Sequence, residues 1–148
     1  IDEYQYDLVI GSSMGGLAAA NASSLREKSD FKLLLIAPAF GLSDSWENLT
    51  DEELDSWERM GVRRYRGFDL EIDLGWDFME DAREMSWPTI RHQTTIIHGS
   101  KDDIVPLEVS QTVSEDSELV DLIVIDDGHR MKRSLSYLSD VASSLVSS

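Results

Sequence analysis

The sequence of 148 residues contains no cysteine, only three histidines and no long hydrophobic run. The absence of cysteine excludes disulfide bonds and thiolate metal sites, and it favours a reducing, cytoplasmic compartment. The histidines form no His-Glu-x-x-His or comparable cluster, so we expect neither a bound metal nor another cofactor. No apolar run approaches the roughly 20 residues that a membrane span needs, and no signal peptide is visible.

Positive charge is also scarce in this chain. Lysine and arginine together number 13 against 29 aspartates and glutamates, which gives a formal net charge of −16. A surface of this charge repels phosphate groups, which argues against nucleic acids and anionic membrane surfaces as partners. The length predicts a single domain over residues 1–148 that is large enough to bury a sizeable core.

One stretch near the start, residues 7–20, passes from an apolar run through a sharp turn into an alanine-rich helix. Residues 11–15, Gly-Ser-Ser-Met-Gly, fit the pattern G-x-S-x-G of the nucleophile elbow, in which a strained strand-to-helix turn projects a serine hydroxyl above the sheet edge. We expect both glycines of the motif because a Cβ at either position would collide with neighbouring elements. The N–H of Met14 would then face an oxyanion that forms beside Ser13.

The same residues could begin a dinucleotide-binding unit, whose fingerprint G-x-G-x-x-G would place glycines at positions 11, 13 and 16. Position 13 is a serine, whose side chain would occupy the space that a pyrophosphate needs. The fingerprint also requires an acidic residue about 20 residues further on, and the second apolar run leads instead into Ala-Pro-Ala-Phe. The dinucleotide hypothesis therefore fails at both diagnostic positions. A glycine-rich turn without chemistry stays open for this motif taken alone.

Short apolar runs alternate with helical patterns, which predicts an α/β fold with a parallel sheet of about four strands flanked by helices. The predicted strands cover residues 6–10, 31–36, 94–98 and 120–125, and the predicted helices cover residues 14–28, 105–113 and 131–146. Residues 43–88 contain all four tryptophans, and we predict a helical insertion there with helices at about 51–60 and 73–85. This insertion is either a lid or acyl-pocket wall, or ordinary amphipathic packing.

Two loops that follow predicted strands carry an acid and a histidine. Asp102 comes after the third strand and His129 after the fourth. Functional groups in open α/β sheets gather at the carboxyl ends of strands, so Ser13, Asp102 and His129 should meet at one edge, in the chain order of an α/β-hydrolase. His129 would take the proton of Ser13 and return it to the leaving group, while Asp102 would orient the imidazole. Asp103 is an alternative acid, but the spacing to Val-Pro at 105–106 favours Asp102, and His98 is interpreted as structural.

These blocks resemble those of α/β-hydrolase serine esterases. Residues 98–106, His-Gly-x-x-Asp-x-x-Val-Pro, and residues 127–129, Asp-Gly-His, look like the acid and histidine blocks of that superfamily. The features similar to the small YqiA-like esterases are Gly-Ser-Ser-Met-Gly-Gly at 11–16, Ala-Pro-Ala-Phe at 37–40, Trp46, Trp57 and Phe78-x-x-Asp81-Ala82. The resemblance covers nearly the whole chain, and it implies a serine hydrolase that cleaves a small-molecule ester through an acyl-enzyme.

The resemblance also implies further elements before the nucleophile elbow. This sequence shows no counterpart of those elements before Asp7. Such esterases begin with further strands and a His-Gly-Phe-like loop that supplies a second oxyanion N–H, so this chain corresponds to their carboxyl-terminal portion. Either the amino-terminal part lies outside this sequence or the chain does without it. A second hypothesis therefore stays open, namely a catalytically weak or inactive module that binds a small acyl compound or a protein partner.

The first predicted strand, from Tyr6 to Ile10, would lack a neighbour on one side. Unpaired N–H and C=O groups of an apolar edge strand are a template for pairing with another chain. We therefore expect a homodimer that pairs this strand with its copy, and the alternative is that residues 1–5 fold back over the edge.

Overall fold

A computed structural model describes residues 5–28, 30–44, 49–67 and 70–147, which divide into two compact units. The first unit comprises the residues up to Phe40 and from Pro88 onward, and the second is Gly41–Trp87. The first unit contains β1 (Leu8–Ser12), α1 (Met14–Ser24), β2 (Lys32–Ile36), β5 (Thr94–Gly99), α4 (Leu107–Glu115), β6 (Val120–Ile125) and α5 (Leu135–Ser147). The second unit contains α2 (Asp51–Met60), β3 (Val62–Gly67), β4 (Leu70–Gly75) and α3 (Trp76–Met85). None of the helices in these described ranges is long and apolar enough to cross a membrane.

The first unit is built on a parallel sheet with the strand order β1-β2-β5-β6. The two central strands supply the core, where Leu35, Ile96 and Ile97 are completely buried. Such continuous apolar runs are typical of parallel strands that are covered on both faces. Helix α1 packs against β1 and β2, α4 packs against β5 and β6, and α5 contacts β1. The predicted α/β class with a four-stranded parallel sheet is confirmed.

The first strand and helix differ from the prediction in their bounds. Strand β1 runs two residues later than predicted, because Gly11 and Ser12 continue the pairing with β2 instead of leaving the sheet. Helix α1 ends four residues before the predicted end. There the hydroxyls of Ser23 and Ser24 donate to carbonyls four and three residues earlier, and such side-chain bonds compete with helix propagation.

The second unit contains an antiparallel hairpin, which corrects the prediction of a purely helical insertion. Strands β3 and β4 pair over their full length, so the helix predicted from residue 73 begins only at Trp76. Residues 71–74, Glu-Ile-Asp-Leu, alternate charged and apolar side chains with the period of a strand. Across the hairpin Arg64 pairs with Asp73 at 2.6 Å and Arg66 with Glu71 at 2.9 Å, as expected for opposite charges on facing strands.

Helix α2 has the start and stop that its sequence predicts. Thr50 is the N-cap, and its side chain accepts the N–H of Glu53, whose carboxylate accepts the N–H of Thr50 at 2.9 Å. The hydrogen bond from the backbone of Thr50 is the largest cause that lowers the pKa of Glu53. Gly61, with φ of 70°, ends the helix in the left-handed region, where glycine carries no steric penalty.

The tryptophans of the second unit take part in packing within that unit. Trp57 is buried, donates its indole N–H to the carbonyl of Leu74 at 3.1 Å and meets the ring of Trp76 edge-on. Trp87 donates to the carboxylate of Asp44 at 3.2 Å. Trp46 lies outside the described residues. The role of this unit as a lid or acyl-pocket wall stays a prediction.

Candidate active site

Ser13 lies in a tight turn between β1 and α1 and has the strained backbone expected of a nucleophile elbow. Its φ of 53° and ψ of −122° are rare for a residue with a side chain, and such geometry costs about 1–3 kcal/mol, which the surroundings must offset. Its N–H donates to the carbonyl of Ile36 at 2.9 Å. Its carbonyl accepts from the N–H groups of Gly16, Leu17 and Ala39 at 2.9, 3.2 and 3.0 Å. The turn is therefore fixed by α1, by β2 and by the loop that follows β2.

Only one glycine of the G-x-S-x-G motif is required by its surroundings. A Cβ on Gly11 would collide with the backbone of Gly15, which leaves no room for any side chain. A Cβ on Gly15 would meet nothing within 4 Å, so the collision predicted for this position is wrong. The close approach belongs instead to the next residue, Gly16, where a Cβ would lie 3.0 Å from the Cβ of Pro38.

His129 connects the serine to an acid. Its Nε2 lies 3.0 Å from Oγ of Ser13, and its Nδ1 lies 2.8 Å from Oδ2 of Asp102. A carboxylate oxygen can only accept, so Nδ1 carries the hydrogen and the lone pair of Nε2 faces the serine hydroxyl. The three side chains that the sequence proposed are thus joined in one chain of hydrogen bonds. We call Ser13, His129 and Asp102 the candidate triad.

Asp102 is held in place by its own loop. Its side chain is completely buried, and Oδ1 accepts the backbone N–H groups of Ile104 and Val105, both at 2.9 Å. These bonds leave Oδ2 directed at His129. Asp103, the alternative acid of the sequence analysis, is exposed. The structure therefore places Asp102, and not its neighbour, against the histidine.

Asp127 fixes the loop that carries His129, a role that the sequence analysis missed. Its Oδ1 accepts the N–H of Gly128 at 2.8 Å, and its Oδ2 accepts the N–H of Arg133 and the hydroxyl of Ser134 at 2.8 and 2.9 Å. Burial raises the pKa of Asp127, but these hydrogen bonds and the charge of Arg133 outweigh it, so the pKa is lowered from its usual value. The same network explains why α5 begins at Leu135 rather than at the predicted residue 131.

The remaining histidines are both buried. His98, on β5, approaches Asp102 with its Nε2 3.3 Å from Oδ2. His92, to which the sequence assigns no role, contacts the carbonyl of Ser23 at 3.1 Å and stacks on the ring of Phe31. His92 therefore has a packing role, whereas His98 reaches the candidate triad.

The N–H of Met14 is available to a ligand at this site. Met14 begins α1 directly after Ser13, and within the described ranges no backbone acceptor binds its N–H. The side chain is about half exposed. A free N–H at the first turn of a helix can stabilise a negative charge that develops beside the serine. No cluster of three or more histidine, aspartate or glutamate side chains that could hold a metal ion occurs in the described part of the chain.

Residues 1–145 match the uncharacterised protein family UPF0227. The chain belongs to this family. A search among curated proteins found no match.

The fold of the UPF0227 chain is shared by many solved structures, including the following three. Mouse α/β-hydrolase domain-containing protein 10 is 24% identical with a TM-score of 0.78, and the match covers 97% of this chain and 63% of the mouse chain. A candidate hydrolase from Agrobacterium vitis S4 is 22% identical with a TM-score of 0.73, covering 94% and 60%. Est1E from Butyrivibrio proteoclasticus is 18% identical with a TM-score of 0.68, also covering 94% and 60%. The fold is that of α/β-hydrolases, and the chain spans about three fifths of the length of these structures.

Proposed function

We propose that this UPF0227 chain is a serine hydrolase of the esterase type that cleaves a small-molecule ester through an acyl-enzyme on Ser13. The observation that carries the proposal is the unbroken chain of hydrogen bonds from Oγ of Ser13 through His129 to Asp102, with distances of 3.0 and 2.8 Å. A serine that is bonded to a histidine, which is oriented in turn by a buried carboxylate, is the arrangement that activates a hydroxyl as a nucleophile.

In the first half of the reaction, Oγ of Ser13 attacks the ester carbonyl carbon while Nε2 of His129 takes the hydroxyl proton. The resulting imidazolium is stabilised by Asp102, which accepts the Nδ1–H. The tetrahedral intermediate then collapses, the carbon–oxygen bond to the alcohol breaks, and His129 returns the proton to the leaving oxygen. The acyl group remains on Ser13 as an ester.

In the second half, water replaces the alcohol. His129 removes a proton from the water, whose oxygen attacks the acyl-enzyme, and the histidine then protonates Oγ of Ser13 as the acid product departs. No metal or cofactor takes part in either half of this mechanism. The N–H of Met14 donates to the oxyanion in both tetrahedral intermediates. Removal of one oxyanion donor typically lowers kcat by about 10²–10³, so we expect the N–H of Met14 to contribute a factor of that order to turnover.

The test is covalent labelling by a fluorophosphonate probe, with the adduct located by mass spectrometry. The folded wild-type chain should be labelled on Ser13, because the probe needs only an activated serine and not full turnover. The variants Ser13→Ala and His129→Ala should lose the label and keep the circular dichroism spectrum of the wild type. Ser12→Ala is the matched control, since Ser12 is exposed next to the nucleophile and should leave labelling unchanged.

Two outcomes would contradict the proposal. Labelling that survives in His129→Ala would show that the histidine is not the base. A folded wild-type chain that takes no label would favour the second hypothesis, an inactive module that binds an acyl compound or a protein. Hydrolysis of a p-nitrophenyl ester with a burst of p-nitrophenol equal to the enzyme concentration would in turn support the acyl-enzyme.

A further inference from the structure

His98 is a completely buried histidine that contacts three different groups. Its Nδ1 lies 2.7 Å from the hydroxyl of Ser110, a buried residue of α4. Its Nε2 lies 3.0 Å from the carbonyl oxygen of Val105 and 3.3 Å from Oδ2 of Asp102. His98 lies on β5, directly before the loop that carries Asp102. Its ring therefore connects α4 with that loop.

The chemistry of these partners fixes the tautomer of His98. The carbonyl of Val105 can only accept, so Nε2 must carry a hydrogen, which it donates to that carbonyl, while Oδ2 of Asp102 lies 3.3 Å from the same nitrogen. In the neutral ring, Nδ1 then offers a lone pair that accepts the hydroxyl hydrogen of Ser110. In this tautomer both ring nitrogens have a hydrogen-bond partner, as a fully buried polar side chain requires.

The carboxylate of Asp102 lies beside the hydrogen bond from His98 to Val105. Oδ1 already accepts two backbone N–H groups, and Oδ2 already accepts the Nδ1–H of His129. The Nε2–H of His98 adds an electrostatic contact to Oδ2 at 3.3 Å, while its hydrogen bond goes to the carbonyl of Val105. Val105 closes the arrangement, since its N–H donates to Oδ1 of Asp102 while its carbonyl accepts from His98. The carboxylate is thus restrained on both oxygens.

We propose that His98 is a positioning residue: its Nε2–H binds the carbonyl of Val105, whose own N–H holds Oδ1 of Asp102, and lies against Oδ2, so that the carboxylate keeps the orientation that directs Oδ2 at His129. This inference rests on the proposed hydrolysis for its catalytic consequence, but the contact itself can be tested without substrate. Without the Nε2–H, the carbonyl of Val105 would lose its hydrogen bond and Oδ2 its partially positive neighbour, so the segment that holds Oδ1 could shift and the carboxylate could turn about its Cβ–Cγ bond. The histidine would then lose its fixed alignment with Ser13, and misplacement by about 1 Å can lower turnover by about 10²-fold.

The first measurement is the protonation of the His98 ring in the wild-type chain. Nitrogen-15 chemical shifts distinguish a protonated from an unprotonated ring nitrogen, and we expect the hydrogen on Nε2 and none on Nδ1 at neutral pH. The Nδ1–H of His129 should give a separate, slowly exchanging low-field proton signal because it is bonded to Asp102. A His98 ring with its hydrogen on Nδ1 would overturn the proposal without any variant being made.

The second measurement compares His98→Gln with His98→Met. These replacements have side chains of equal length, but only glutamine places an N–H donor where Nε2 lies. We expect His98→Gln to retain the low-field signal of His129 and to keep kcat within about threefold of the wild type. His98→Met should lose that signal through exchange with water and lower kcat at least about tenfold, with KM unchanged because His98 does not touch the substrate.

A purely structural role for His98 makes a different prediction. Both variants would then lose thermal stability to a similar extent, the low-field signal would survive in both, and kcat would fall equally or not at all. Any of these three results overturns the proposal. The NMR signals do not depend on turnover, so a wild-type chain that fails to label on Ser13 would contradict the proposed hydrolysis and leave the test of His98 standing.

Discussion

The carboxylate of Asp127 accepts a 2.9 Å hydrogen bond from the hydroxyl of Ser134, seven positions further along the chain, and so closes the loop that carries His129. The loop is also fixed through its backbone, because the carbonyl of Asp127 accepts the N–H of Lys101 at 3.0 Å. Gly99 lies so close to that carbonyl that no side chain could be added there. The histidine loop is therefore held both by its own aspartate and by the loop that carries the acid.

The contribution of Asp127 to the stability of the folded chain should depend on pH. The pKa of Asp127 is lowered in the folded chain, so its contribution to stability is present above the usual aspartate value of about 3.9 and is lost as the pH falls through the lowered value. Asp127→Asn should reduce stability at pH 7, and the difference from the wild type should shrink in acid. Urea unfolding at a series of pH values measures this. Asp126→Asn is the control, since Asp126 is exposed and forms a surface ion pair with Lys101. A difference between wild type and Asp127→Asn that does not vary with pH would contradict the assignment.

A second prediction concerns the choice between the two adjacent acids. Asp102→Asn should lower kcat by about 10⁴, because the amide replaces one carboxylate oxygen by an NH₂ donor and cannot accept the Nδ1–H of His129 together with the two backbone N–H groups, so the imidazole is no longer held in the required tautomer. Asp103→Asn should leave kcat within about twofold, since that side chain is exposed. Steady-state kinetics on a p-nitrophenyl ester separate the two. Equal losses in both variants would mean that the loop as a whole, and not Asp102, supports the histidine.

A third prediction distinguishes the two glycines of the elbow motif. Gly11→Ala should destabilise the chain by about 1–3 kcal/mol, because the new methyl group meets backbone that cannot move away. Gly15→Ala should stabilise it by about 0.5–1 kcal/mol, because the site is open and alanine is the better helix residue in α1. Thermal unfolding of both variants provides the measurement. A destabilised Gly15→Ala would show that the elbow needs both glycines after all.

A fourth prediction concerns the exposed side of β1, which is an edge strand of the described sheet. The carbonyl of Asp7 and the N–H of Ser13 both bond to β2, so by alternation the N–H of Ile10 points away from the sheet. We propose self-association through this edge. It should strengthen at about 1 M salt, where the Debye length is only about 3 Å and repulsion between copies of charge −16 is screened.

Sedimentation velocity measures this association. Ile10→Pro should abolish the dimer by removing an outward donor, while Ile10→Ala keeps the N–H and should keep the dimer. Circular dichroism verifies that both variants fold. A wild-type chain that sediments as a monomer at every salt concentration would rule out pairing through β1.

Much of the fold and the members of the candidate triad could be predicted because their signals are local. The continuous apolar runs of β2 and β5 indicate buried parallel strands, and the motif around Ser13 indicates the elbow. Asp102 and His129 could be predicted from their positions directly after two predicted strands, because parallel strands bring their carboxyl ends to one edge of the sheet. The neighbouring acids Asp102 and Asp103 could be ranked only by spacing, and burial separates them clearly.

Other features depend on contacts that are distant in sequence or on a competing pattern. The hairpin of β3 and β4 was missed because its short period-2 alternation lies between two strong helical patterns. The contacts of His98 with Ser110 and of Asp127 with Ser134 join residues 12 and 7 positions apart around loops. No spacing rule predicts such bonds, since they depend on the path of the loop and not on a repeating element.

The strand order β1-β2-β5-β6 has a consequence for folding kinetics. Ser13 follows one outermost described strand and His129 follows the other, and the two side chains meet across a sequence separation of 116 residues. Contacts of such high order form late, because chain entropy must be lost before any of them stabilises the structure. A nucleophile without its base is inert, so an unfinished sheet carries no reactive serine. Reactivity towards a phosphonate during refolding would therefore mark the moment at which the last strand is docked.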